Sequence, residues 1–525
     1  MSRETTIPGH AVVLLLVAVA LNFAAWMWGN GAEGMAPPAG DKVHSLSFAP
    51  FRNGQSPLKR IYPTAPQIEE DMALLAQRAE RVRVYTSLEG TEVVPALARK
   101  YGLKVTLGAW LGAPVTSVEA ATNEAETQSA IALANAYPDV VDKVIVGNEV
   151  LLRGELKPAE LAQFIRRVRA AIAQPVGYAD VWEFWLKYPE MAAEVDFIAI
   201  HLLPYWEDDP VGIDGAAARI LQAYEAVRAK FPDKPIMIAE AGWPTAGRMR
   251  GPARASVINQ VRFFEIFARL AREHHFDYNL IEAFDQNWKA EQEGWTGAAW
   301  GIFTAERAPK VIPGTPILEK PHWPWLAMFA SLLGIVVAAA ARRSWAAAGL
   351  PLATQMALTF LAVDGVVLAG DYALAHRHFP LHVSWQALLT AAQAIFALGW
   401  MLPGSALLRR AGLAGFLLLV AGAGVQTAGL IHNGRYLDFP LMLYGAPALT
   451  ALALRLLPLP GGNPGSDRRH LDVGIAVALL LAGWLLWLEG IANGEAVAWC
   501  GLLLAFAVGL RPVLRRLTPA PERAA

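Results

Sequence analysis

Apolar segments crowd the C-terminal part of this chain, and another opens it. Residues 11–28, AVVLLLVAVALNFAAWMW, hold no charge and are long enough to span a bilayer. A signal peptide has a shorter apolar region followed by a small-x-small site. The length here, with Trp26 and Trp28 at one end, predicts an uncleaved anchor over residues 1–30. After Pro321 the sequence turns apolar again. Spans are expected near 323–341, 346–370, 384–402, 411–431, 437–457, 472–490 and 494–511. Each is about 18 to 25 residues, which suits the hydrocarbon thickness. That predicts a polytopic domain of about seven transmembrane helices over 322–516.

Basic residues orient the spans. Arg342 and Arg343 follow the first of these segments, and Arg409 and Arg410 the third. Arg455, Arg468 and Arg469 flank the linker after the fifth, and Arg511, Arg515 and Arg516 follow the last. Arginine concentrates on cytoplasmic loops. The intervening loops, HRHFPLH, HNGRYLDFP and EGIANGE, are poorer in Arg and lack Lys. With eight spans both termini are expected in the cytoplasm. The polar stretch 40–318 is then expected outside, as part of a multi-pass protein of the inner (plasma) membrane.

Composition narrows the function classes. A net charge of −1 offers no basic field for nucleic acid. Cys500 is the only cysteine, so no intrachain disulfide can form. The mean hydropathy of +0.32 is high for a soluble protein.

Between the apolar parts, short β-branched runs alternate with helical patterns. Strands are predicted at 44–50, 81–86, 103–110, 143–149, 175–180, 196–202, 235–240 and 278–285. Helical patterns such as QIEEDMALLAQRAE and KPAELAQFIRRVRAAIA lie between most of them. Eight strands at this length predict an α/β fold, a (β/α)8 TIM barrel. A doubly wound open sheet would need a Gly-rich turn after its first strand, which is missing.

The barrel gives two glutamates a purpose. In this fold catalytic groups sit at the C-terminal ends of strands. Glu149 closes strand four in VIVGNEVLLR, and Glu240 closes strand seven in IAEAGWPTAGR. Both carboxylates should therefore enter the barrel mouth. Either alone serves equally well as a helix-terminal acid or an ion-pair partner. Together they suit glycosidic bond cleavage, where one group protonates the leaving oxygen and the other attacks the anomeric carbon.

GNEVLLRG and IAEAGWPTAG, with EAFDQNWK (282–289) and WGIF (300–303), resemble the family 17 glycoside hydrolases. The resemblance covers roughly residues 44–312 and implies retaining action on β-1,3-glucans without a metal or other cofactor. It implies Glu149 as acid/base and Glu240 as nucleophile. Asn148 matches the amide that bonds the sugar 2-hydroxyl. Arg83 and Tyr85 are placed to position Glu240, and Tyr205, in HLLPYW, to touch it. Glu282, Asp285, Trp288 and Lys289 match groups lining the donor side. In many eukaryotic members this last stretch differs, with Asn and Glu near the Lys. A family 17 domain fused to many spans also resembles bacterial membrane proteins of β-glucan synthesis and remodelling. A glucan synthase is thereby a candidate partner, alongside the glucan itself and the lipid bilayer.

Sugar faces pack on flat rings. Trp182, Trp185, Trp206, Trp243, Trp288, Trp295 and Trp300 all fall in or after loops at strand C-terminal ends, and with His201 they form the expected sugar-binding set. Three weaker signals remain. His376, His378 and His382 share one loop and offer a metal-like spacing that is common by chance. GAGVQTAG (422–429) lies inside an apolar span, where small residues serve helix packing. Asp364 is an acid inside a span, a functional candidate by position.

The expected function is a membrane-anchored β-glucan hydrolase or transglycosylase. Alternatives are a plain endo-β-1,3-glucanase, a non-catalytic glucan receptor, and a transporter with an accessory sugar domain. A polymerising synthase is set aside, because every predicted cytoplasmic loop is short and offers no domain for a nucleotide-sugar donor.

Overall fold

The computed structural model describes residues 9–36, 42–348, 351–376, 380–402, 404–456 and 468–518. His378, part of the 456–471 linker and the terminal residues lie outside them. The chain divides into two units, Glu33–Ile317 and a second made of Met1–Ala32 with Leu318–Ala525.

The first unit is the expected barrel. Its strands are β1 (Val43–Ser47), β2 (Ala79–Arg83), β3 (Lys104–Ala109), β4 (Val141–Asn148), β5 (Val176–Val181), β6 (Phe197–Leu202), β7 (Ile236–Ala241) and β8 (Asp277–Leu280). They pair in parallel, in chain order, and close β8 onto β1. β8 ends well before the predicted residue 285, and the chain beyond it runs as loop and short helices. Ile145, Ala179, Phe197, Ala199, Met237 and Ala239 fill part of the interior. A polar set joins them: Asn279 accepts from Ser45 at 2.6 Å and donates to Ser47 at 2.7 Å.

The two ends of the barrel differ. At the N-terminal end, Arg81 pairs with Asp142 at 2.5 Å, and Lys143 and His44 meet Asp277 at 2.7 and 3.1 Å. Charges on this face serve stability. The C-terminal end carries the candidate site.

The second unit is helical. Helices Trp323–Ala348, Leu352–Ala375, Pro380–Met401, Ala406–Asn433, Leu441–Leu456, Arg468–Glu489 and Gly494–Leu517 coincide with the seven expected segments. Gly9–Gly29 adds the N-terminal helix. Six of the eight are long and apolar enough to cross a membrane. The other two are apolar over only Leu441–Arg455 and Gly474–Glu489. Asp364, in the second of these C-terminal helices, accepts from the Trp26 indole of the N-terminal helix at 3.0 Å. Next to it Asn22 donates to Ser331 at 3.3 Å. His376 is buried at the end of its helix, with Nδ1 2.7 Å from the Tyr372 carbonyl oxygen.

Candidate active site

Irregular backbone delivers the two glutamates. β4 changes register against β5 between Ile145 and Asn148, and Gly147 there has φ +83°. A Cβ at Gly147 would lie 2.9 Å from the Val150 side chain, so the turn needs glycine twice over. Glu149 follows the strand instead of closing it and takes φ +53°, a costly value outside glycine. Its backbone N–H bonds the Ala179 carbonyl at 2.8 Å. β7 also changes register, against β6 between Ile200 and His201 and against β8 between Ile238 and Ala241. Glu240 lies one residue inside its strand end and is the register partner of His201. Such irregularities re-aim side chains beside active sites.

The side chains converge. Arg83, almost fully buried at the end of β2, donates to Glu240 Oε1 at 3.2 Å, to the Ala239 carbonyl at 2.7 Å and to Asn148 Oδ1 at 2.6 Å. Tyr85 Oη donates to the same Glu240 oxygen at 2.9 Å. Burial and the Glu240 charge push the Tyr85 hydroxyl well above its ordinary range, so it stays a donor. Asn148, with its oxygen held by Arg83, presents its amide to the cleft.

His201 stands between the glutamates. Its Nδ1 lies 2.8 Å from Glu149 Oε1 and its Nε2 3.5 Å from Glu240 Oε1. One donor atom from each of the three side chains fits within 4.8 Å of the others. A divalent cation could use that spacing. However, the Glu240 oxygen already faces Arg83 and Tyr85, and a cation there would displace a guanidinium. One oxygen of each carboxylate lies within 4.8 Å of the other, a closeness that suits a retaining glycosidase better than an inverting one.

Burial pushes the Glu149 carboxyl up. The His201 hydrogen bond and charge, with Arg153 and Arg83, outweigh it and hold Glu149 below the ordinary carboxylate range. An ionised Glu240 acting by itself would move it the other way. Arg153 lies 3.7 Å from Glu149 and stacks on Trp110 at 4.5 Å.

Glu282, Lys289 and Glu293 form a second charged group beside the pair. Lys289 donates to both Glu282 oxygens at 3.0 and 3.1 Å. Burial lifts Glu282 to about 7 against the pull of Lys289, and also lifts Glu293.

A cleft of about 470 Å³ covers these groups, with Tyr85, Asn148, Glu149, Glu240, Trp288 and Lys289 in its walls. Trp206 and Trp300 also line it. Other predicted residues do not reach it. Tyr205 is fully buried and donates to the Arg248 carbonyl at 2.5 Å rather than to Glu240. Trp243 and Trp185 are core residues whose indoles bond the Arg254 and Ala199 carbonyls. Trp182 packs against the same core. Trp295 is partly buried outside the cleft walls. Asp285 pairs with Lys310 at 2.6 Å behind the cleft. Each follows a strand, but the loops fold these side chains back onto the barrel.

Trp110, Arg153, Glu293, Phe48 and Phe51 line the cleft without having been anticipated. Trp110 had a signal, since it directly follows a strand. Buried Glu126 braces its loop, accepting from the backbone N–H of Ser87 at 2.9 Å and of Trp110 at 3.4 Å.

Residues 45–301 match the BtgE/BtgC glycoside hydrolase domain. A glucan 1,3-β-glucosidase of Arthroderma benhamiae is 31% identical over 272 residues, which is 46% of this chain and 82% of that protein. A glucan 1,3-β-glucosidase of Schizosaccharomyces pombe is 29% identical, over 42% of this chain and 72% of that one. The crystal structure of a family 17 β-1,3-glucanosyltransferase from Rhizomucor miehei aligns at 29% identity with a TM-score of 0.44, covering 52% of this chain and 97% of that chain. With this domain match and the Arthroderma benhamiae relative, the chain belongs to the BtgE/BtgC glycoside hydrolases.

Proposed function

We propose that this protein is a membrane-anchored retaining enzyme that cleaves β-1,3-glucan and passes the cleaved segment to a second glucan. Glu240 attacks the anomeric carbon while Glu149 protonates the leaving oxygen. Glu149 then takes the proton of the incoming acceptor hydroxyl as the ester to Glu240 breaks. The observation that carries this is the close Glu149–Glu240 pair with Arg83 and Tyr85 on the nucleophile oxygen.

A glycosyl-enzyme ester lets any bound acceptor compete with water. Trp206 supports an acceptor platform: it lines the cleft, stacks on Tyr205 at 5.9 Å and carries Arg250 over its ring at 5.3 Å. Incubating the full-length protein with a laminari-oligosaccharide of defined length at millimolar concentration tests transfer. Products longer than the substrate are expected. Only shorter products at every concentration would make the enzyme a plain β-glucanase.

The helical unit is proposed to place the barrel outside the cytoplasm, where secreted glucan emerges. The support is the alternation of Arg-rich helix ends. Reporter fusions at residue 315 and at the C-terminus should report opposite sides of the membrane; the same side for both would overturn the topology.

A further inference from the structure

Neither the family likeness nor the carboxylate pair assigns a task to His201. Its ring is fully buried on β6. Nδ1 has an ideal partner in Glu149 Oε1 at 2.8 Å, whereas Nε2 has no hydrogen-bond partner and points at Glu240 Oε1 from 3.5 Å. An unprotonated Nε2 would set a lone pair against a carboxylate oxygen. A protonated Nε2 faces that oxygen favourably. With Nε2–H fixed, one further proton can occupy the Nδ1···Oε1 line. On Nδ1 it makes an imidazolium beside an ionised Glu149. On Oε1 it makes neutral histidine beside a carboxylic acid.

We propose that His201 is a positioning residue that stores the acid proton of Glu149, the two sharing one proton across their 2.8 Å bond. This rests on the assignment of Glu149 as acid/base.

Three acidic side chains surround His201. Glu149 faces it from the end of β4, Glu240 from β7 and Asp180 from β5. Arg83 from β2 and Arg153 after β4 are the opposing cations around Glu149. As the glycosidic oxygen develops charge, the proton moves from Nδ1 to Glu149 and on to the leaving group. The C–O bond breaks, the Glu240 ester forms, and His201 is left neutral. In the second half the acceptor hydroxyl bonds the anomeric carbon, its proton goes to Glu149 and returns to Nδ1, and Glu240 is released as carboxylate. No other reactant is needed. The arrangement reconciles a Glu149 held below the carboxylate range with its work as an acid.

The test compares His201→Gln with wild type in the full-length protein, using two donors across pH. Glutamine can still donate to Glu149 but stores no proton. One donor is a laminari-oligosaccharide, whose leaving alcohol must be protonated. The other is a dinitrophenyl β-laminaribioside, whose leaving group needs no proton. The basic limb of kcat/KM should move down by about one to two pH units for the oligosaccharide, the gap between imidazole and carboxyl being about two. That costs about tenfold per unit on that limb. With the dinitrophenyl donor the basic limb should stay where the wild-type protein has it, and an unchanged thermal transition shows that the variant is folded. An unmoved limb for the oligosaccharide, or a parallel loss on both donors at every pH, overturns the inference. Glu149→Gln and Glu240→Gln, measured alongside, separate the two failures. If they abolish oligosaccharide cleavage while His201→Gln leaves the limb in place, only the role of His201 is wrong.

Discussion

The barrel and the helical unit both bury polar side chains, but they spend them differently. In the barrel, Arg83, Asn148, His201, Glu240 and Glu282 are buried together at one end, and each faces a charged or polar partner from another strand or loop. In the helical unit the buried threonines mostly bond their own helix. Thr359 and Thr427 donate to the carbonyls of Gln355 and Ala423, four residues back. Those bonds satisfy a hydroxyl locally and bring no groups together. Convergence, rather than burial, marks the chemical site. Long-range bonds of this unit, such as Trp26 to Asp364, Asn22 to Ser331 and Trp499 to Thr427, are pairwise and tie helix to helix.

The sharpest way to break this contrast is to remove a converging carboxylate. Glu240→Gln and Glu149→Gln should each lower oligosaccharide cleavage by about four powers of ten or more, with the thermal transition unchanged. Azide should partly rescue Glu149→Ala on the dinitrophenyl donor. Near-normal turnover in Glu240→Gln would remove the barrel end from the mechanism.

Arg83→Met comes next. It strips the buried cation from Glu240 and Asn148, and removing one partner of a buried pair costs about 3–5 kcal/mol. Stability by denaturant titration and kcat should both fall, the latter by about two powers of ten. A variant as active as wild type would mean that Tyr85 alone holds Glu240.

In the helical unit the expected effect is smaller and confined. Asp364→Leu should cost about 1 kcal/mol, in the range of interhelical hydrogen bonds. Thiol labelling of buried Cys500 reports opening of the unit, and its rate should rise several-fold while cleavage of soluble oligosaccharide holds. An equal loss of cleavage would give Asp364 a functional part and blur the contrast.

The smallest effect belongs to the opposite end of the barrel. Asp277 is held at about 2: burial pushes it up, but His44, Lys143 and Arg81 outweigh that. A depressed carboxyl stabilises the fold fully above its unfolded value of about 3.9, and the stabilisation is lost as pH falls toward 2. The melting-temperature advantage of wild type over Asp277→Asn should therefore shrink between pH 4 and pH 2. A constant difference would show that the ion network does not titrate with the fold.

Much of this was legible in the residue order, because it depends on neighbours along the chain. Eight alternating strand and helix patterns of this length point to a barrel, since helical crossovers let successive strands pair in parallel. Apolar length marked the helices of the second unit. Glu149 and Glu240 were found because a motif and a strand end coincide locally. The tyrosine that holds Glu240 was not decidable in that way. Tyr85 and Tyr205 both follow strands, and closure of the barrel puts one on Glu240 and the other under the Arg248 carbonyl. The tryptophans divided similarly, Trp206 to the cleft and Trp243 to the core, as loop folding decides which face of a ring is covered. Only the tertiary structure placed His201 between two carboxylates. That position depends on the register changes around β4 and β7, through which residues distant in sequence settle within one hydrogen bond of each other.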